Sequence, residues 1–249
     1  LGARPGQVEL YAGLSVSISA LASALVSPIW GGLADRYGRK PMMIRASLVM
    51  AFTMGGLAFV PNVFWLLTLR LLNGMFSGYV PNSTALIASQ APKNKLGFAL
   101  GTLATGVTAG TLIGPLLGGY FADLLGIRNI FLSVGFLLLA LNLMTIFLIK
   151  EDFVPVKKEH ELPTRELLKQ VKNRQVMLGL FVTSMIIQVS AQSIAPILTL
   201  YIRHLGQTTN LMFVSGLIVS SMGFSSMLSS SFLGKIGDRI GNHRLLLIA

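Results

Sequence analysis

Seven long apolar runs constrain this chain more than any other feature of its sequence. Each approaches or exceeds the ~20 apolar residues that an α-helix needs to cross a bilayer. Short polar segments separate the runs and hold most of the charged residues. The runs cover roughly 11–33, 42–61, 63–89, 97–122, 129–149, 175–201 and 210–233, and an eighth begins at Leu245. The chain is therefore predicted to be an all-α, polytopic helical membrane protein with about seven transmembrane helices.

The composition argues against several other classes of protein. Only 12% of the residues are charged, whereas a soluble domain carries about 25%. The net charge of +11 would suggest nucleic-acid binding in a soluble protein, but here the charges lie in loops between apolar runs. The chain has no cysteine and no GxxxxGK[ST] segment, so neither a thiolate metal site nor a P-loop is predicted. We expect no metal, no cofactor, no nucleic-acid partner and no enzymatic activity.

The distribution of basic residues predicts the orientation of the helices. Sixteen of the 20 Lys and Arg residues follow the first, third, fifth and seventh runs, which end on one side of the membrane. The opposite side holds only Arg4, Arg128 and Arg203, and Arg70 lies inside a run. Cytoplasmic loops collect basic residues, so the side with sixteen is predicted to be cytoplasmic.

The only long polar segment divides the chain into two helical regions. Residues 1–149 form the predicted N-terminal bundle, and residues 175–249 begin a C-terminal one. Residues 150–174 form a cytoplasmic linker interrupted by Pro155 and Pro163. Thr164 is a plausible N-cap, and Leu167, Leu168 and Val171 could share one helical face. This predicts a short amphipathic helix on the inner membrane surface, and a disordered tether fits the segment equally well.

A charged segment of ten residues occurs twice. Gly31 to Lys40 recurs, altered, as Gly234 to His243, and each copy keeps a glycine, then Asp-Arg, then a glycine. Asp35 and Asp238 are 203 residues apart. Each copy follows an apolar run. Such a repeat indicates two similar halves, an arrangement common among transporters.

These residues resemble the motifs of the major facilitator superfamily. The loop signature GxLaDrxGrk matches Gly31 to Lys40, and the pattern lxxxRxxxG matches Leu66, Arg70 and Gly74. The antiporter pattern GxxxGPxxGG is matched in full by Gly110, Gly114, Pro115, Gly118 and Gly119. In this superfamily the last pattern marks drug:proton antiporters. The wider sequence resembles multidrug efflux transporters of Gram-positive cocci.

The resemblance implies a truncated major facilitator fold that covers family helices 2 to 8 of twelve, so that the N-terminal bundle lacks its first helix. It further implies a monomeric, multi-pass protein of the cell membrane that exchanges protons for hydrophobic or cationic drugs by alternating access. A nutrient symporter of the same superfamily is the alternative, although the full antiporter pattern argues against it. A seven-helix receptor or light-driven pump is less consistent with the repeated hairpin.

The resemblance also assigns conformational roles to the two hairpins. Each Asp is expected to face the cytoplasmic N-terminus of a helix in the opposite half. The partner of Asp35 would be family helix 11, and the partner of Asp238 would be the helix that begins near Lys95. A topogenic turn is the simpler alternative. The predicted gating residues are Gly31, Asp35, Arg36, Gly38, Arg39, Asp238 and Arg239.

Further candidates lie inside the spans. A buried guanidinium is costly in lipid and usually lines a cavity or pairs, so Arg70 is predicted to act in proton coupling or substrate orientation; bonding to backbone carbonyls is the alternative. Gly106, Gly110, Gly114 and Gly118 recur every four residues, which predicts a stripe that packs closely against the eighth family helix and serves as a hinge. Ordinary close packing is the alternative. The matching small residues on that eighth helix are Gly216, Ser220, Gly223 and Ser226.

A polar face on the run 175–201, the seventh family helix, predicts drug contacts. Amide and hydroxyl groups are costly where they face lipid, so this face is expected to line the central cavity. Interhelical hydrogen bonding is equally plausible. The candidate substrate-contact residues are Phe181, Ser184, Gln188 and Gln192. A weaker stripe of the same kind comprises Ser15, Ser19 and Ser23.

Overall fold

Helices account for nearly all of the structure, a computed structural model that describes residues 7–92, 94–153, 174–206 and 209–240. Over 226–240 it describes the helical backbone alone. No strand occurs among these residues. The helices are α1 (Val8–Tyr37), α2 (Arg39–Gly56), a 3-10 turn (Leu57–Phe59), α3 (Val63–Phe76), α4 (Tyr79–Gln90), α5 (Leu96–Leu125), α6 (Ile127–Leu148), α7 (Arg174–His204) and α8 (Leu211–Ile240).

Five helical segments in the described ranges are long and apolar enough to span a membrane. They are Leu10–Tyr37, Arg39–Phe59, Val63–Gln90, Leu96–Leu125 and Ile127–Leu148. Within the residues of α7 and α8 that the structure describes fully, apolar helical segments cover Met177–Ser190 and Leu211–Ser225. Large apolar side chains lie on the outside of the bundle, as with Phe98, which is 82% exposed, and Phe147, which is 75% exposed. Such a surface suits a lipid environment.

The predicted span 63–89 is two helices rather than one. It breaks at Ser77–Gly78, where Gly78 has φ +122°, a conformation that favours glycine. Pro81, in the first turn of α4, has no N–H, and in a continuous helix its ring would clash with the carbonyl of Ser77. Gly78 and Pro81 together therefore explain the break.

The first hairpin is also tighter than a loop. Helix α1 continues through Asp35 to Tyr37, and only Gly38, with φ +96°, separates it from α2. Helix α8 likewise runs through Gly234 and Asp238 to Ile240. The predicted linker 150–174 lies almost entirely outside the described residues, as do Gly241 to His243 of the second hairpin.

Three helix pairs carry most of the packing: α5 with α8, α2 with α6, and α1 with α3. Between α2 and α6, a Cβ placed on Gly135 would lie 2.9 Å from the Cα of Gly55. Asn142 Nδ2 of α6 donates to Ile44 O at 2.7 Å and to Ser47 Oγ at 2.8 Å. Since α5 belongs to the N-terminal region and α8 to the C-terminal one, their contact joins the two predicted halves.

Candidate gating and coupling site

The first hairpin is held by a carboxylate that the sequence motifs do not include. Glu151 follows the end of α6, and its Oε1 and Oε2 accept the backbone N–H groups of Arg39 and Lys40, each at 2.7 Å. These N–H groups open α2 and have no partner within their own helix. The Lys40 ammonium also donates to Ile146 O at 2.8 Å. Glu151 therefore ties the start of α2 to the end of α6.

Gly38 is required by this contact as well as by its dihedral angle. A Cβ at this position would lie 2.8 Å from Glu151 Oε2 and 3.3 Å from the ring of Phe153. A side chain would displace the carboxylate from the N-terminus of α2. The second glycine of the motif thus has a local physical explanation.

Glu151→Gln should lower the stability of the hairpin. The negative charge at a helix N-terminus contributes about 0.3–1 kcal/mol, and up to ~2 kcal/mol when partly buried. An amide keeps one acceptor oxygen but loses that charge, so the melting temperature of the purified full-length protein should fall by about 1–4 °C. Asp152→Asn, at the neighbouring exposed carboxylate, is the matched control. Equal melting temperatures for the two variants would contradict the capping role.

The structure places the other predicted gating residues as follows. Asp35 contacts the Arg39 guanidinium one turn later in the chain, and 51% of the Asp35 side chain is exposed. An exposed pair of this kind contributes only about 0–1 kcal/mol, which leaves the Asp35 carboxylate accessible to another partner. Gly31 has open space where a side chain would be, and Arg36 lies in the last turn of α1. Asp238 and Arg239 lie in the last residues of α8, and their side chains are outside the described part of the structure.

Arg45, a few residues after the first hairpin, makes specific contacts with two other helices. The Arg45 guanidinium carbon lies 3.4 Å from the ring centroid of Trp30, which is a close cation–π contact. Its Nη2 donates to Ser77 O at 3.3 Å, at the C-terminus of α3. Trp30 Nε1 donates to Met75 O at 2.7 Å. Arg45 and Trp30 thus link α1 and α2 to the break between α3 and α4, a role that motif comparison missed.

Arg70 lines a cavity of about 340 Å³ between α1, α3 and α6. The cavity wall also contains Ser15, Leu66 and Arg128, but no carboxylate from the described residues. The Nε atom of Arg70 is buried and has no hydrogen-bond partner among these residues. Its backbone carbonyl accepts from Ser19 Oγ at 2.7 Å. An unpaired buried donor in a cavity that also contains Arg128 is suited to an anionic partner.

The antiporter pattern does face α8, but through a different set of residues from the predicted stripe. Side chains at Gly106, Gly110, Gly114 and Gly118 would meet no described atom within 4 Å. In contrast, a Cβ on Gly119 would overlap the backbone of Met212, and one on Gly216 would overlap the carbonyl of Pro115.

Three of the four small residues predicted on α8, Gly216, Ser220 and Gly223, lie in this contact, and the side chain of Ser226 lies outside the described part of the structure. Ser220 Oγ donates to Leu112 O at 2.6 Å, and a Cβ on Gly223 would lie 3.3 Å from Leu112 Cδ1. The prediction that Gly114 packs against α8 is wrong, since Pro115 and Gly119 make the contact instead. Successive helical residues are about 100° apart around the axis. Pro115 and Gly119 therefore face away from the Gly106–Gly118 stripe. The hinge role of the motif remains a prediction.

The predicted drug-contact face on α7 is exposed. Phe181 is 66% exposed, Ser184 and Gln188 are also exposed, and the side chain of Gln192 lies outside the described set. None of these four residues lines a described cavity. Ser19 and Ser23 of the weaker stripe make interhelical hydrogen bonds, the latter with Ser77 Oγ at 2.9 Å. Ser15 lines the Arg70 cavity.

Comparison with known proteins defines the class. The chain matches the Major Facilitator Superfamily over residues 2–249 and belongs to that family. It is 65% identical over 249 residues to the multi-drug resistance efflux pump PmrA of Streptococcus pneumoniae, and 61% identical to a PmrA homolog of Lactococcus lactis. It is 47% identical over 243 residues, 97% of its length, to the multidrug resistance protein MdtG of Klebsiella pneumoniae. The first two matches include 100% of this chain. The chain nevertheless spans only 59–62% of the length of these three relatives.

The membership confirms the predicted fold class. Helices of membrane-spanning length, with no strand in the described ranges, are consistent with a truncated polytopic protein of this family. The resemblance to multidrug efflux transporters is also confirmed, since the relatives carry that name. The protein is a multi-pass membrane protein of a transporter family.

Proposed function

We propose that this chain is part of a proton-coupled multidrug exporter that works by alternating access between two helix bundles. Protons moving inward would drive hydrophobic or cationic drugs outward, and the charged hairpins would lie on the cytoplasmic side of the cell membrane. The protein is proposed to act as a monomer. The observation that carries this proposal is the backbone-close contact between α5 and α8 at Pro115 and Gly119 of the antiporter pattern.

The α5–α8 contact is relevant to alternating access because it joins a helix of one bundle to a helix of the other. In alternating access the two bundles rock against each other around a fixed site. The α5–α8 pair crosses from one bundle to the other with almost no intervening side chain at Gly119 and Gly216. Such packing excludes water and ions while allowing the helices to roll. The names of the relatives favour drugs as the transported class.

Efflux measurements test the proposal directly. The full-length protein would be expressed in drug-sensitive cells, and the export of ethidium and a quinolone followed with and without a proton uncoupler. We expect export of both compounds and its loss when the uncoupler is added. Absence of export, or export that the uncoupler leaves unchanged, would contradict a proton-coupled drug exporter.

The hairpin Asp residues are proposed to bias the conformational equilibrium. The contact between a hairpin carboxylate and a helix N-terminus of the opposite half would form only when the cytoplasmic side is closed. The contact would therefore favour the outward-open state. This assignment rests on the family resemblance and on the exposed position of Asp35.

Asp35→Asn should therefore shift the full-length protein toward the inward-open state. Folding and insertion should be retained, because the pair with Arg39 is exposed, while transport should fall. Reactivity of single cysteines placed in the cytoplasmic cavity measures the shift. Unchanged reactivity together with unchanged transport would leave the hairpin as a turn.

A further inference from the structure

A carboxylate at the opposite end of α5 makes a second contact between the two halves. Asp123 lies in the last turn of α5, and its Oδ2 accepts from the backbone N–H of Phe213 at 2.9 Å. Its Oδ1 lies 3.4 Å from the Met212 N, which also donates to it. Met212 and Phe213 are in the first turn of α8, where N–H groups have no acceptor within the helix. Asp123 therefore caps α8 from α5.

The surrounding contacts show that the two helix ends are closed together here. The rings of Tyr120 and Phe213 meet edge to face with centroids 6.0 Å apart. Gly119 packs directly on the backbone of Met212. Asp123 itself is exposed. The closure at this end thus depends on a group in contact with solvent.

No described basic side chain competes for this carboxylate. The basic groups near this end of the neighbouring helices are Arg128 of α6 and Arg203 and His204 of α7. None of them forms an ion pair with Asp123 among the described residues. Residues 211–225 of α8 contain no charged residue. The carboxylate charge is therefore balanced by the N-terminus of α8 rather than by a cation.

The end of the molecule that Asp123 occupies follows from the chain direction. Helix α1 ends at the hairpin, and three further crossings, by α2, by α3 with α4, and by α5, end on the opposite face. Asp123 and Asp35 therefore lie on opposite sides of the membrane.

We propose that Asp123 is a positioning residue that latches the face opposite the hairpins. Its ionised carboxylate holds the N-terminus of α8 against α5 while that face is closed. Removing that charge weakens both hydrogen bonds, which releases α8 and favours opening there. The latch rests on the proposed transport function, because only a transporter needs this face to open.

Distance measurements between spin labels test the latch without requiring drug transport. Labels on cysteines replacing the exposed Leu124 and Leu205 would report separation of the two halves at this face in full-length protein in lipid nanodiscs. The 249 residues contain no cysteine that would compete for the label. The parent protein at pH 8 provides the reference distances.

Asp123→Asn should raise the ratio of open to closed populations at pH 8 by roughly two- to fivefold, as expected for loss of a charge at a helix N-terminus. Arg203→Gln, which removes a charge from the same face, should behave like the parent. Asp123→Ser serves in the same way where the Asn variant is not recovered. Parent-like distances in the Asp123 variants would overturn the latch. Loss of ethidium export without a change in this pattern would instead count against the proposed function.

Discussion

Replacing Gly216 with alanine is expected to abolish drug export, with a loss greater than tenfold. The added methyl group would overlap the Pro115 carbonyl, and because that atom belongs to the backbone it cannot move aside by changing rotamer. Overpacking of this kind costs about 1–3 kcal/mol, and the seam between α5 and α8 must also move during transport. Gly119→Ala should have the same effect, since its Cβ would overlap the backbone of Met212.

Ethidium export and membrane expression should be measured together for these variants. Gly106→Ala is the matched control, because it places the same methyl group on the same helix where no described atom lies within 4 Å. Export should be lost in the Gly216 and Gly119 variants while expression remains near that of the control. Normal export by either of these two variants would show that the helices can separate slightly at this seam without consequence.

Arg70→Lys and Arg70→Ala are both expected to lose at least 90% of uncoupler-sensitive efflux. The lysine variant keeps a positive charge but loses the planar guanidinium with its several fixed donors. The position lines a cavity, and its buried Nε has no partner among the described residues, which points to a directional contact rather than to a point charge. Ethidium efflux from cells suspended in buffer, with and without the uncoupler, measures the effect.

Thr68→Ala is a suitable control for Arg70, because Thr68 lies on the same helix, is half-buried, and its hydroxyl donates within its own helix to Phe64 O. It should retain export. Full export by the lysine variant would show that charge alone is sufficient at position 70. Full export by the alanine variant would remove Arg70 from the mechanism.

The parts of the fold that follow from hydropathy were predictable, and those that depend on local breaks were less so. Apolar length places the helices α1, α2, α5 and α6 within a few residues. The break at Gly78 was missed although its signal is present, because a hydropathy window averages across a glycine and a proline three residues apart. The same averaging hides the continuation of α1 through the charged residues to Tyr37.

The residues of the candidate site were predictable only where their chemistry is unusual for a membrane. Arg70 stands out as a charge within an apolar run. Glu151 does not, since it is one of several charged residues after a span, and its contact with α2 joins positions more than 100 residues apart. Asp123 was missed for the same reason. Which residues of α5 face α8 is set by packing, so glycine spacing alone indicated the wrong side of the helix.

The seam between α5 and α8 is made largely by main-chain atoms. Its contacts use the carbonyl groups of Leu112 and Pro115 and the N–H groups of Met212 and Phe213. These groups are present whichever side chains the four positions carry. Residues that contribute only main-chain atoms to the seam should therefore tolerate many substitutions. The small or acidic residues that contact those main-chain atoms should tolerate few. A compound bound in this seam would contact atoms that point substitutions cannot remove. Escape from such a compound would have to come from Gly119, Gly216, Ser220 or Asp123, the positions where the seam itself has least freedom to vary.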